Sequence, residues 1–324
     1  MTPLGKSILS VLTFFDVQDM PLTLMEIRAY LIANNPPLSP LNLKGDKRGV
    51  KEVKEGDEEE LPLSQIKEVL ETELANQVET DGVFYFLTGR SELCNKRKTR
   101  YQISLTRMRK TKKFAGLLRF IPFVRAVAVS GSQAVLNSKE SSDIDLFIIA
   151  AKGRIWLARL LVTAFLQALG QRRHGRRAKN RFCLNHYIEE GALISRDKNL
   201  YTAILYSNFI PVFGVARFLR FYEANGWIRQ YVRDPVWESS NNFFGFEPPA
   251  AQKAAEIILE AGLIAPVLNF FSGLYQQRRI KQRDHVYVSA RELAFHPDSK
   301  GQRILARYAA RRAKFTGKIN LTRG

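Results

Sequence analysis

The chain has 324 residues, room for two or three domains, and its 45% apolar and 25% charged content is ordinary for a soluble protein. Its net charge of +19 is not ordinary: residues 1–90 are net negative, so the excess lies in the rest of the chain, and a field of that sign favours polyanions over cationic partners. Cys94 and Cys183 form no CxxC spacing, and His174, His186, His285 and His296 no ligand pattern. Composition therefore argues against a disulfide framework and a structural zinc, and with no signal peptide at the start the expected compartment is the cytoplasm.

Residues 5–15 read as a first helix. Thr23 and Glu26 form a capping box that opens a second helix through about Asn34. Pro36, Pro37, Pro40 and the acidic run ending at Glu60 predict a solvated loop over 35–61. Ser64 is the expected cap of a third helix to about Asn76, and residues 77–87 read as a hairpin turning at Asp81-Gly82. Three helices and a hairpin in this order resemble a winged-helix domain, here residues 1–90. Its third helix is net negative, which favours protein contact or dimerisation over DNA recognition.

Residues 91–122 are expected to be basic connector helices, with Lys96, Arg97, Lys98, Arg100, Arg107, Arg109, Lys110, Lys112 and Lys113 on a cationic side and Ile103, Leu105, Met108 and Phe114 on an apolar one. Such a segment is either a solvated linker or a surface that tracks a nucleic-acid backbone.

The most informative stretch follows. Residues 124–129 form an apolar strand running into Gly131-Ser132, and after ten residues a second strand opens with Asp143-Ile144-Asp145. Residues i and i+2 of a strand share a face, so the two carboxylates project together and resist joint ionisation unless a cation sits between them. That is the donor set hard Mg²⁺ uses beside a triphosphate. Gly131 allows close backbone approach, and Ser132 at a helix start offers donors to phosphate oxygens. These residues resemble the signature of the DNA-polymerase-β-like nucleotidyltransferase superfamily. The resemblance implies that Asp143 and Asp145 are catalytic residues holding Mg²⁺, and that Gly131 and Ser132 bind the β- and γ-phosphates of an NTP, ATP being the expected one. It assigns residues 123–196 to a nucleotidyltransferase core with a small mixed sheet, an α/β (α+β) unit.

Within that core, residues 154–169 predict an apolar helix packed on the sheet. Arg172, Arg173, Arg176 and Arg177 cluster before a third strand over 181–190 and are the expected nucleic-acid or polyphosphate contacts. The superfamily often places a third carboxylate on this strand. Here Asn185 stands at that point, with Glu189 on the same parity, so Asn185 and Glu189 are the candidate third-ligand positions. His186 is expected to be a packed strand residue rather than a base.

Residues 197–324 read as a helical C-terminal region, including a basic helix over 301–314. The apolar run 261–275 is broken by Pro266, Asn269 and Gly273, so it predicts a buried or self-associating helix, and no membrane span is expected. The sequence as a whole predicts an Mg²⁺-dependent enzyme moving NMP from an NTP to a hydroxyl. The expected acceptor is RNA or another nucleic acid, bound through segments 96–119 and 172–181, and a homo-oligomer is a further expectation. The alternative is a non-catalytic nucleotide- or nucleic-acid-binding regulator with a degenerate core, the reading that Asn185 favours.

Overall fold

A computed structural model describes residues 1–31, 61–175, 177–234, 246–280, 286–295 and 299–321. Most of the loop expected over 35–61, Arg176, His285 and His296 lie outside the described residues.

Helix α1 (Pro3–Asp16) starts at Thr2, whose hydroxyl accepts from the Gly5 amide, with proline at its first position. It is buried along most of its length, as a helix apolar on every side must be. The capping box of α2 (Leu24–Ala29) is fully formed. Helix α3 (Leu63–Glu71) begins after Pro62, so Ser64 sits inside its first turn rather than capping it, and the helix ends five residues before Asn76. Strands β1 (Val78–Thr80) and β2 (Tyr85–Leu87) pair antiparallel, and Leu22 bridges to Tyr85.

The central sheet has six strands in the order β6-β3-β4-β5-β8-β7. Strands β3 (Val124–Ser130) and β4 (Ile144–Ala150) are antiparallel, while β4 and β5 (Phe182–Glu189) are parallel across the crossover helix α6 (Ile155–Ala168). The fold is mixed α/β. The sheet nevertheless extends past the boundary expected at 196: β6 (Ile210–Phe213) adds to one side, and β7 (Val286–Val288) and β8 (Glu292–Phe295) to the other. The C-terminal region is therefore not only helical.

Side-chain alternation sends Ala126, Ala128, Phe147 and Ile149 to one face and Val127, Val129, Leu146 and Ile148 to the other, both fully covered. The first face shares a core with α1, α7 (Leu200–Ser207) and α8 (Val215–Ala224), and with Tyr308 of the C-terminal helix α11 (Ser299–Leu321). Phe14 meets the Tyr308 ring edge-on at 5.6 Å, and the Tyr30 hydroxyl donates to Asn208 at 2.6 Å. Residues 1–90 are thus packed into the same core as the chain's far end. Buried Asp16 reinforces this join, pairing with Arg90 at 3.2 Å and with Arg311 of α11. The second face carries α6, backed by α10 (Ile264–Ile280), which follows α9 (Ala250–Ala261).

Two expectations reverse. Helix α4 (Glu92–Gly116) is a single helix whose buried stripe contains Arg97, Ser104, Arg107 and Thr111, while Leu105 is exposed. Of the two states expected for helix α10, buried or self-associating, the first fails, because the helix turns most of its large apolar side chains outward.

Candidate functional site

At the end of β3 the chain turns at Gly131, whose φ of +65° is the left-handed region that favours glycine. Its neighbour is Asp145, because the register pairs Ser130 with Asp145. A Cβ at position 131 would stand 2.7 Å from Asp145 Oδ2. The missing side chain of Gly131 therefore makes room for a carboxylate of the site itself. The helix that follows is one turn, Gly131–Ala134, too short to supply the helix-terminus field expected for phosphate.

Asp143 lies just before β4 and Asp145 is its second residue. On the other side of β4, Cys183 stands opposite Asp145, and a bulge after Leu184 leaves Asn185 without a partner in the ladder. The bulge points Asn185 back at the aspartates: its Nδ2 donates to Asp145 Oδ1, and the Cys183 thiol donates to Asn185 Oδ1 at 2.7 Å. Arg173 donates through Nη1 to Asp143 Oδ2 at 2.5 Å. Asp143, Asp145 and Cys183 bring one ligand atom each within 4.8 Å of the others, forming a group able to hold a metal ion.

The electrostatics follow from this crowding. Burial first, and the Asp143 charge second, push the Asp145 carboxyl up to about 6 against the opposing pull of Lys300, Arg173 and the Asn185 amide. Burial and both aspartates push the Cys183 thiol up, so at neutral pH it is a protonated thiol and a poor ligand for a hard cation. The hard donors are the two carboxylates, with the Asn185 amide oxygen available if that group turns over.

A cleft of about 410 Å³ opens beside Gly131 and Ser132. Its walls are Phe14, Phe15 and Ile204, and its cations are Arg100, Lys139, Lys300, Arg303 and Arg307. The last three come from α11 at helical spacing i, i+3, i+7, one face of a helix. Burial pulls the Lys300 ammonium down, but Tyr201, Asp145 and Asp143 more than offset this and hold it charged. Gly301 lets α11 approach closely, since a Cβ there would stand 2.7 Å from the Tyr201 ring.

Helix α4 holds the segment between the two signature halves. Arg97 donates to the Val135 carbonyl at 2.8 Å, and Arg107 to the Lys139 and Glu140 carbonyls at 2.9 and 2.6 Å. Gln133 reaches the Ser104 carbonyl at 2.8 Å and accepts from Ser138 at 2.9 Å. These donors satisfy backbone oxygens that a buried loop would otherwise leave unpaired. Part of the basic segment 96–119 is therefore spent inside the protein, while Lys96, Lys98, Arg109 and Lys113 remain exposed.

The remaining expected site residues divide. Arg172 bridges to Phe182 at the start of β5, and Arg177 is exposed beside His174, on the same segment as Arg173. Glu189 is corrected as a third-ligand candidate. The parallel register sets Asp145 against Cys183 and Ala150 against Glu189, so Glu189 lies six residues, or about 20 Å, along the strand. There it accepts from the Gly153 amide at 2.8 Å. Glu190 faces Arg125 at 3.8 Å, and His186 pairs with Glu292 at 2.9 Å and packs on Phe147. Sequence reasoning missed Cys183, Lys300, Arg303 and the inward role of Arg107. The parity of Cys183 with Asn185 was legible, but nothing local connects α11 to β4.

No family model, curated protein or solved structure matches the chain.

Proposed function

We propose that this protein is an Mg²⁺-dependent nucleotidyltransferase that moves NMP from an NTP to a hydroxyl group. The observation that carries the reading is the adjacency of Gly131 to Asp145 at the edge of a cleft lined by Lys300, Arg303 and Arg307. Carboxylates for a cation and cations for an anion meet at one point, as a metal–triphosphate requires. Asp143 and Asp145 would hold Mg²⁺, which supplies charge neutralisation on the phosphates. Gly131 and Ser132 border the same cleft, and its aromatic and aliphatic wall suits a base or ribose face. In the transfer, a bond forms between the acceptor oxygen and the α-phosphorus as the bond to pyrophosphate breaks. RNA or another nucleic acid is the acceptor class that the charge favours, with Arg173 and Arg177 on the segment before β5 as its contacts.

A second reading rests on two contacts. Arg173 is paired with Asp143, and Asn185 occupies the point where a third carboxylate would serve. These contacts favour a nucleotide sensor that binds without transferring. Calorimetric titration of ATP with and without Mg²⁺, followed by transfer from α-³²P-labelled NTPs to an RNA pool, separates the two. Transfer lost in Asp143→Ala and Asp145→Ala supports the enzyme. Mg²⁺-dependent binding without transfer supports the sensor, and the absence of both removes the shared reading.

A further inference from the structure

Helices α9 and α10 form an inside-out surface. Between residues 261 and 275 each exposed position carries an apolar residue or glycine, with Leu263 69% and Phe270 and Phe271 61% exposed. Asn269, Ser272 and Gln276 of α10 point the other way. Asn269 Oδ1 accepts from the Leu157 amide at 3.0 Å, and Ser272 and Gln276 donate to the Trp156 carbonyl at 3.1 and 2.9 Å. Gly273 lies against the Trp156 ring, where a Cβ would come within 3.1 Å. Small and polar residues thus join α10 to α6 while large apolar ones face outward, the arrangement of helices surrounded by hydrocarbon. With Ile257 and Ile258 of α9, the exposed face is on the order of 1,000 Å², beyond the largest apolar patch of most monomers.

We propose that this face docks into one leaflet of a membrane carrying anionic headgroups. The two helices together are apolar enough for a span, but they meet at 87°, and among the described residues no single helix is long and apolar enough to cross. α10, 17 residues and roughly 25 Å long, therefore enters the leaflet without traversing it. Its far end carries Tyr275 and then Arg278 and Arg279, an aromatic and two cations in the order of a membrane–water boundary. Nearby acidic groups are neutralised by arginines: largely covered Glu256 is paired with Arg125, and the more exposed Glu260 with Arg154. A second copy of the chain is the weaker occupant, because a protein interface of this size carries several hydrogen bonds and these exposed side chains offer almost no donors or acceptors. The face backs α6, while the cleft beside Gly131 and Ser132 opens among α1, α7 and α11, so docking leaves the cleft accessible.

Flotation of the full 324-residue chain with vesicles of 70% phosphatidylcholine and 30% phosphatidylglycerol tests this. The chain is expected to float with them, and Leu263→Asp/Phe271→Asp should reduce the bound fraction by about tenfold or more, since two exposed apolar anchors are lost. Arg278→Gln/Arg279→Gln should reduce it several-fold and remove its salt dependence. Because the substituted side chains are exposed, thermal melting should be unchanged; should the aspartate variant unfold, Phe270→Ser/Phe271→Ser replaces it. Failure to float overturns the proposal, as does flotation unaffected by the apolar substitutions. A non-floating dimer that these substitutions dissociate would instead assign the face to a second copy.

Discussion

Asp145 is held ionised at a cost, so removing its charge should stabilise the metal-free protein. Its carboxyl rises from 3.8 to about 6, driven by burial and the Asp143 charge. Two pH units correspond to at most about 3 kcal/mol against the ionised form, an upper bound because the cleft leaves the residue partly exposed. Asp145→Asn keeps an oxygen to accept from Asn185 and loses the repulsion. At ~2.1 cal/mol/K per residue, this chain has an unfolding entropy of about 0.7 kcal/mol/K, so the variant should melt higher at pH 7.5, by at most ~4 °C. The sign with pH is fixed by the direction of the shift. A carboxyl whose folded value lies above its unfolded one binds the proton more readily when folded, so the wild-type penalty is absent below about pH 4 and complete above about pH 6. The gap between the two melting temperatures should open across that window. Mg²⁺ should then close the gap: at a hundredfold excess over its Kd it adds ~2.7 kcal/mol to the wild type and nothing to the variant. Differential scanning fluorimetry across pH 4–8, with and without Mg²⁺, reads all of this. A variant that melts lower at pH 7.5, or a gap independent of pH, refutes the electrostatic account of the site.

Three further outcomes follow from neighbouring contacts. Gly131→Ala sets a Cβ against Asp145 Oδ2 at a left-handed backbone position; it should cost about 1–2 kcal/mol by denaturant melt and abolish the Mg²⁺ response. Asn185→Asp faces Asp145 with a third negative charge, so it should melt lower without Mg²⁺ and gain more from Mg²⁺ than the wild type, by fluorimetry; a lower melt with no extra gain removes Asn185 from the metal's reach. Lys300→Met should weaken ATP binding about tenfold by calorimetry, the loss of one charged hydrogen bond, while enlarging the Mg²⁺-only melting shift, because a cation beside the aspartates is gone.

The half of the sheet that carries the aspartates was legible because β3 and β4 lie at its centre and are written as nearly continuous apolar runs. The other half was not. Strands β6, β7 and β8 have three or four residues each, too few for alternation to stand out, and their strand character comes from pairing: β6 with β3, β8 with β5, and β7 with β8. Helix α4 misled for a related reason. Arg97 and Arg107 were read as surface charge because long cations usually are, but their buried partners are carbonyls 32 to 38 residues further along the chain. Lys300 is the extreme case, reaching the aspartates from a helix more than 150 residues away. What could be read was the chemistry carried by adjacent residues; what could not was the chemistry assembled by packing.

That distinction bears on how the site works. Left alone, Asp143 and Asp145 would repel and one would protonate, and the cations opposing this come from separate elements. Arg173 sits on the segment before β5, paired directly with Asp143, while Lys300 sits on α11 and acts on both aspartates through space. On the proposed reading, Asp143 and Asp145 would hold a divalent cation in place of the Arg173 charge, and the guanidinium would then be available to pair with a polyanion. Lys300 has no such exchange to make, since it faces both the aspartates and the cleft that Gly131 and Ser132 border. Metal entry and anion entry would therefore be coupled through Arg173 and independent of each other through Lys300. Arg173→Ala should weaken that coupling, so that ATP no longer raises Mg²⁺ affinity as strongly as it does in the wild type, while Lys300→Met lowers ATP affinity equally with and without the metal. Titrations of each ligand in the presence and absence of the other measure both terms, and equal coupling in wild type and Arg173→Ala would assign Arg173 a purely structural hold on Asp143.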